Sequence, residues 1–224
     1  HINPRHFDFV WAPAHDQLSG ANVLSTLTSP HNLTPDILQN SARALRTTLL
    51  PTDFAGKVVS VLIGGASRAY KFSHATMLDL ADQLAQLSEA TPKHFFLISL
   101  SRRSHPDCAD ILRAKIPPTR LHIIEKTGDA AYPAMLGLAD YIIATSDSTN
   151  MLGEACLTGK PIYRFDLAGG TARFRRFHNA LENGGYVRPF IGTLEHWHST
   201  PLNATSTIAQ AIKNAMRQKA ASGQ

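Results

Sequence analysis

Ala139-Asp140-Tyr141-Ile142-Ile143-Ala144-Thr145-Ser146-Asp147-Ser148-Thr149-Asn150-Met151-Leu152-Gly153-Glu154-Ala155-Cys156-Leu157-Thr158-Gly159-Lys160-Pro161-Ile162-Tyr163-Arg164-Phe165 decides the fold. Tyr141 to Ala144 is a short apolar run, rich in β-branched and aromatic residues, and reads as a buried strand. Thr145 to Thr149 is built almost wholly of helix N-capping residues. A helix should follow with Met151, Leu152, Ala155 and Cys156 on its buried face, and Gly159 should end it. Pro161 then opens a second strand, Ile162 to Phe165. Strand, polar turn, helix, tight turn and strand make one unit of a parallel α/β sheet. In such sheets ligands sit beyond the carboxyl ends of the strands. The hydroxyls and free helix-start N–H groups at that place suit a phosphate. Glu154, about two turns into the helix at most, is positioned to reach the hydroxyls of an adjoining ribose. The same turn also serves as a plain helix cap.

Working outward, the regular rhythm begins at Lys57. Val58 to Ile63 is a continuous apolar strand, as expected for burial on both faces. Ser73 caps a helix with a Met77, Leu80, Leu84 and Leu87 stripe. His94 to Leu100 is the next strand, Pro106 to Lys115 a helix, Leu121 to Ile124 a strand, and Tyr132 to Leu138 a helix. After Phe165 come Gly169-Gly170, a basic amphipathic helix from Thr171 to Glu182, and a Gly184-Gly185 stop. Thr205 or Ser206 should cap a final helix whose Ile208, Ile212 and Met216 dock it, leaving Lys213 and Lys219 in solvent. The alternation predicts a parallel, doubly wound sheet.

Before Lys57 the pattern is weaker. His6 to Val10 reads as a strand, Ala12 to Asp16 as a loop, and Leu18 to His31 as irregular. Thr34 and Pro35 start a helix with Ile37, Leu38, Ala42 and Leu45 as its stripe. This part is too short for a core of its own. The division expected is 1–56 as the trailing part of an N-terminal domain, 57–187 as a Rossmann-like domain, and 188–224 as a closing segment.

Composition is that of an ordinary globular protein: 224 residues, 43% hydrophobic and 17% charged, with a net charge of +5. The basic residues are scattered, and no aromatic-interleaved motif points to nucleic acid. Cys108 and Cys156 make no disulfide framework, and no apolar run is long enough to span a bilayer. A cytoplasmic protein is expected, with peripheral contact at the inner membrane as a further expectation.

Three strand ends carry turns suited to an anion, and in a parallel sheet they share one rim. They are Gly64-Gly65-Ala66-Ser67-Arg68, Ser101-Arg102-Arg103-Ser104, and Thr145 to Thr149. The glycines let backbone approach an anion, and arginines offer forked donors. Arg102 or Arg103 is expected to turn inward; Arg173, Arg175 and Arg176 are read either as donors or as a solvated helix face. Gly64-Gly65 is not a dinucleotide fingerprint, and Gly159-Lys160 is not a Walker A motif. His196, His198 and the other histidines lack metal-ligand spacing, so neither a metal nor another cofactor is expected. Ser146 and Ser148 sit in no nucleophile elbow.

These residues resemble a known family. "Val-Leu-Ile-Gly-Gly-Ala-Ser-Arg-Ala-Tyr-Lys-Phe", "Ser-Leu-Ser-Arg-Arg-Ser", "Ala-Thr-Ser-Asp-Ser-Thr-Asn-Met-Leu-Gly-Glu-Ala" and "Gly-Lys-Pro-Ile-Tyr-Arg-Phe" look like the mitochondrial-fission Elm-type family. "Phe-His-Asn-Ala-Leu", "Arg-Pro-Phe-Ile-Gly" and "Pro-Ala-His-Asp-Gln-Leu-Ser-Gly-Ala-Asn-Val" do too. Family members are longer at the N-terminus, so this sequence, which begins at His1, is expected to be a fragment. Bacterial members are often labelled nucleoside-diphosphate-sugar epimerases. The turns and the helix glutamate are also similar to the donor half of GT-B glycosyltransferases. That similarity implies Glu154 on the ribose and Ser146, Ser148 and Thr149 on the diphosphate. Gly64, Gly65, Ser67, Arg68, Ser101, Arg102, Arg103 and Asp147 lie around it. It also implies that the final helix crosses to the Phe7–Trp11 region. The expected fold is GT-B-like: a parallel, doubly wound C-terminal domain with a remnant of the N-terminal one. The expected function is a glycosyltransferase binding a nucleotide sugar and acting on a cell-envelope acceptor. An epimerase or hydrolase on the same scaffold, and a non-enzymatic scaffold for a membrane or protein partner, stand as alternatives. The base would come from the acceptor side, where His15 and Asp16 are the candidates.

Overall fold

The computed structural model describes residues 3–125 and 131–222. In chain order the elements are β1 (Val10–Pro13), β2 (Val23–Thr26), α1 (Pro35–Leu49), β3 (Lys57–Ile63), β4 (Tyr70–Lys71), α2 (His74–Ala90) and β5 (His94–Leu100). They continue with α3 (Cys108–Lys115), β6 (Leu121–Ile124), α4 (Ala131–Leu138), β7 (Tyr141–Thr145), α5 (Thr149–Ala155) and β8 (Ile162–Phe165). β9 (Ala168–Gly169), α6 (Ala172–Asn183), β10 (Val187–Pro189) and α7 (Ala204–Ser222) complete the chain. The six-stranded sheet is parallel throughout, in the order β10-β8-β7-β3-β5-β6. The chain winds outward from β3 through β5 to β6, then returns to the other side of β3 at β7. That reversal opens a switch point between the carboxyl ends of β3 and β7.

Both sheet faces are covered, which explains the unbroken apolar strands. Val59, Val61 and Ile63 join Met77, Leu80, Leu84, Cys108 and Leu112 beneath α2 and α3. Their alternates Val58 and Leu62 pack with Leu38, Met135, Leu152 and Phe177 beneath α1, α4, α5 and α6. Ser60 is the polar exception, buried with its hydroxyl donating to Met135 O at 2.8 Å. α1 crosses α4 closely because Gly137 has no side chain; a Cβ there would lie 2.3 Å from Leu38 O. Leu38, Leu49 and Leu50 thereby join the core of the main sheet.

The first segment departs from the sequence reading. The strand expected over His6 to Val10 begins at Val10 and runs through Pro13. Pro4–His6 is instead a 3-10 turn capped by Asn3, and Phe7 is half exposed. Ala14–Asp16, expected as loop, is a second 3-10 turn. Leu18 to His31, expected as irregular, contains β2, which pairs parallel with β1 from Val10↔Val23 to Pro13↔Thr26. A two-stranded sheet of short, half-buried strands leaves little periodicity to read. At the other end, α7 is capped by neither Thr205 nor Ser206. Asn203 Oδ1 accepts from Ser206 N at 3.1 Å, while the Thr205 hydroxyl bridges the main chain of His31. Lys219 stays exposed, as expected, and pairs there with Asp8 at 2.6 Å. Ile208 is buried, while Met216 stays 68% exposed beside Phe7 and Phe9. α7 thus returns to the first segment as expected, held by a charge pair and one buried isoleucine.

Candidate functional site

The carboxyl ends of β3, β5 and β7 meet in a closed hydrogen-bond network. Gly64 N donates to Thr145 Oγ1 at 2.9 Å, and that hydroxyl donates to Asp147 Oδ1 at 2.6 Å. Gly65 N donates to Asp147 Oδ2 at 3.0 Å, and Arg103 Nη2 reaches the same oxygen at 3.3 Å. The Asp147 side chain is fully buried, so it replaces hydration with these partners. A Cβ on Gly64 would lie 2.3 Å from the Asp147 carboxylate, and one on Gly65 would lie 1.8 Å from Arg103 O. Gly64 therefore makes room for the protein's own carboxylate, and Gly65 for the Arg103 main chain. Asp147 itself has no proton to give a phosphate, and its negative charge opposes one. Ser104 Oγ donates to Gly64 O at 2.7 Å, and Ser101 Oγ accepts from Arg103 N at 3.1 Å, fixing the turn that aims Arg103.

Beside this network, Ser148 caps α5 by accepting from Met151 N at 3.2 Å. Thr149, Asn150, Gly153 and Glu154 then form one wall of a cleft of about 590 Å³, with Tyr132 close by. His31, Asn32 and Leu33 line the same cleft. Tyr132 donates its phenol proton to Glu154 Oε2 at 2.7 Å. Burial, with the Glu154 charge second, raises the Tyr132 pKa well above its ordinary value, so it remains a donor. That bond takes one acceptor site of the carboxylate. Both ring nitrogens of His31 are buried without a hydrogen-bond partner.

A smaller cavity, also touching Thr149, is lined by His15, Arg173 and Phe174. His15 is buried edge-on against Phe177, with ring centroids 5.3 Å apart. Burial, then the Arg173 charge, lowers its pKa, so the imidazole is neutral near pH 7. Asp16 is held by Arg173 at 2.5 Å, and Arg176 Nε donates to His15 O at 2.9 Å. Two of the three clustered arginines thus tie α6 to the first segment. His178, next to Phe177, is pushed down to about 4, mainly by burial.

The remaining sequence-predicted residues divide. Ser146 is buried, and its hydroxyl accepts from Leu167 N at 2.9 Å, which braces the chain after β8. Ser67 Oγ accepts from Ala69 N and Tyr70 N, while Arg68 and Arg102 are exposed. Arg103, not Arg102, is the arginine of that turn that reaches inward. Sequence reasoning missed Tyr132, His31 and His178. Tyr132 and His31 enter through tertiary contacts across the cleft, and no local spacing signals either. Cys108 and Cys156 are free and buried, and burial pushes both thiols up to about 12, so neither is a nucleophile. Among the described residues no helix is long and apolar enough to cross a membrane.

Comparison with solved structures identifies the architecture. A UDP-GlcNAc 2-epimerase from Neisseria meningitidis, bound to UDP-GlcNAc, superposes with a TM-score of 0.53 at 16% identity; 89% of this chain covers 50% of that one. A UDP-GlcNAc 2-epimerase from Methanocaldococcus jannaschii, in complex with UDP-GlcNAc and UDP, gives 0.51 at 11% identity, with 93% covering 54%. The neighbours are GT-B-fold enzymes, and the mixed α/β structure with its parallel central sheet is that fold over about half their length. By sequence, an uncharacterized protein of Rickettsia prowazekii is 30% identical over 167 residues, 70% of this chain and 46% of that protein. The Mitochondrial fission protein ELM1 of Arabidopsis thaliana is 35% identical over 95 residues, 41% of this chain and 22% of that protein. The chain thus spans less than half the length of these relatives. The family model described as Mitochondrial fission ELM1 matches residues 1–216. The chain belongs to that family.

Proposed function

We propose that this chain carries the donor site of a nucleotide-sugar enzyme, and that the enzyme is a GT-B-type glycosyltransferase acting on a cell-envelope acceptor. The observation that carries the reading is Glu154, a carboxylate oriented by the Tyr132 phenol on the wall of a cleft of about 590 Å³. That volume lies within the roughly 300–1,000 Å³ range of small-ligand sites. Neighbouring hydroxyls of a ribose would donate to the remaining Glu154 acceptor sites. The diphosphate would then lie toward Thr149 and Asn150, at the start of α5, where main-chain N–H groups lack helical acceptors. The GT-B architecture supports this placement, because two structures that share it hold UDP-GlcNAc. Arg173 stands by the small cavity that shares Thr149, where its positive charge would offset the negative charge of a leaving diphosphate.

His15 is neutral and lines that same cavity, so it is the better-placed of the two acceptor-side base candidates. Asp16 is engaged by Arg173. The test is a thermal-shift screen of nucleoside diphosphates and their sugars. Ligand at about a hundred times its Kd should stabilise the fold by about 2.7 kcal/mol. Incubation of the hit sugar without an acceptor then separates an epimerase or hydrolase, which alters it, from a transferase, which leaves it intact. A folded protein that shifts with no nucleotide would remove the donor-site reading altogether.

A further inference from the structure

A second cluster of chemically capable side chains lies away from the cleft, on the α2–α3 side of the sheet. His74 is the first residue of α2, just after the Ser73 cap, and His105 and Asp107 belong to the turn that leads into α3. One donor atom from each of the three lies within 4.8 Å of the others. His74 Nδ1 stands 3.8 Å and His105 Nδ1 3.7 Å from the same oxygen, Asp107 Oδ2. Both separations are too long for a hydrogen bond. Donor atoms around a tetrahedral ion at ~2.0–2.2 Å are roughly 3.3–3.6 Å apart, so a small inward movement closes this triangle on a metal.

The Asp107 N–H lies 3.3 Å from His105 Nδ1, a long contact that a rotation of the ring releases as that nitrogen turns to an ion. The two rings are tilted by 60° with centroids 5.2 Å apart, and both Nδ1 atoms stand within 4 Å of Asp107 Oδ2. The supporting frame is stiff. Directly beneath, Met77 of α2 touches Cys108 of α3, both fully buried, and the Cys108 N–H donates to His105 O at 3.0 Å.

We propose that His74, His105 and Asp107 form a binding site for a first-row divalent transition ion, with Zn²⁺ as the representative. Two imidazole nitrogens and one carboxylate oxygen suit Zn²⁺, Ni²⁺ or Cu²⁺, whereas Mg²⁺ and Ca²⁺ prefer oxygen alone. His74 and Asp107 are more than half exposed, so water completes the coordination. The ion would staple the start of α2 to the turn after β5, the turn that carries Arg102 and Arg103. The sequence hides the site because its histidines come from different helix-start turns.

The test uses the untagged, chelator-treated chain. Titration with Co²⁺, followed by visible absorption and then displaced by Zn²⁺, should show a saturable site that millimolar Mg²⁺ does not fill. His74→Ala and His105→Ala should each weaken it by more than the ~10-fold typical of losing an outer-shell partner. The rival pair is His196 and His198, whose Nε2 atoms are 3.1 Å apart; His196→Ala with His198→Ala should leave the titration unchanged. A readout without variants is carbethoxylation mapped by mass spectrometry, in which Zn²⁺ should protect His74 and His105 together. Absence of saturable binding, binding that survives the His74/His105 double substitution, or protection only at His196 and His198 would overturn the assignment.

Discussion

Gly65 donates its main-chain N–H to the buried carboxylate of Asp147 across 3.0 Å, at the point where the strand order of the sheet reverses. The crevice that α/β sheets commonly give to a ligand is therefore partly filled from within. The carboxylate joins the ends of β3, β5 and β7 into one rim, and the cleft beside Glu154 is built against that rim.

Asp147→Ala should be among the most damaging substitutions in the chain. It strands the Gly65 N–H and the Thr145 hydroxyl in a buried place, with an expected loss of about 3 kcal/mol or more. Asp147→Asn keeps the shape and an acceptor and should cost clearly less. Urea unfolding of both variants checks the order; equal losses would mean that the charge, not the acceptor geometry, holds the rim.

Gly137→Ala tests the joint between α1 and the main sheet. The added Cβ would meet Leu38 O at 2.3 Å, so α1 must shift outward. Overpacking of this kind typically costs about 1–3 kcal/mol. Faster amide exchange confined to α1 and α4 is the expected signature. An unchanged melting temperature would show that α1 rides loosely on α4.

Stability should fall on mild acidification. His178 has a folded pKa of about 4 against an ordinary 6.5, so between those values the unfolded chain binds a proton that the folded one refuses. The stabilisation is fully present above pH 6.5 and drains away as pH falls toward 4, by on the order of 3 kcal/mol. His15, also lowered, acts in the same direction. Unfolding free energies at pH 7.5 and 5 give the slope, and His178→Gln should flatten it. A slope of the same size in that variant would assign the effect to carboxylates.

Arg173 and Arg176 should matter to the first segment before they matter to any surface. They hold Asp16 and His15 O respectively. Replacing both with alanine should raise hydrogen exchange in β1 and β2 while leaving β3 to β8 protected. Liposome binding lost without any change in β1 and β2 exchange would instead give these charges to a membrane.

Much of the main sheet was legible. β5 and β6 begin and end where the apolar runs do; in β5 every residue after His94 is buried, so its pattern is nearly continuous. Gly159, at φ 66°, ends the helical segment after α5 for the reason only glycine readily does. β2 was invisible because a four-residue strand with only two apolar residues is too short to carry a readable period. At the site, Glu154 was singled out from its place on a helix after a capping turn. Tyr132, which orients it, comes from another helix and had no local signal. Asp147 was read as one more polar residue of a phosphate turn. Its commitment to Gly65 is a contact between turns 82 residues apart in the chain, which spacing cannot reveal.

Tyr132→Phe isolates the orienting bond. The phenyl ring fills the same space, so stability should change by no more than about 1.5 kcal/mol. Glu154 loses the donor that fixes it, and nucleotide affinity should drop by about 1 kcal/mol, or roughly fivefold. An affinity unchanged in a folded Tyr132→Phe protein would detach the phenol from ligand binding.

The most direct measurement is calorimetric titration of the folded chain with uridine diphosphate and with its 2′,3′-dideoxyribose analogue, on the native protein and on Glu154→Ala. If Glu154 holds the ribose, the native protein should prefer the ribonucleotide by at least about 1.4 kcal/mol, or tenfold, and Glu154→Ala should bind both alike at the weaker level. Equal binding of the two ligands by the native protein, or a preference that survives in Glu154→Ala, would contradict the account.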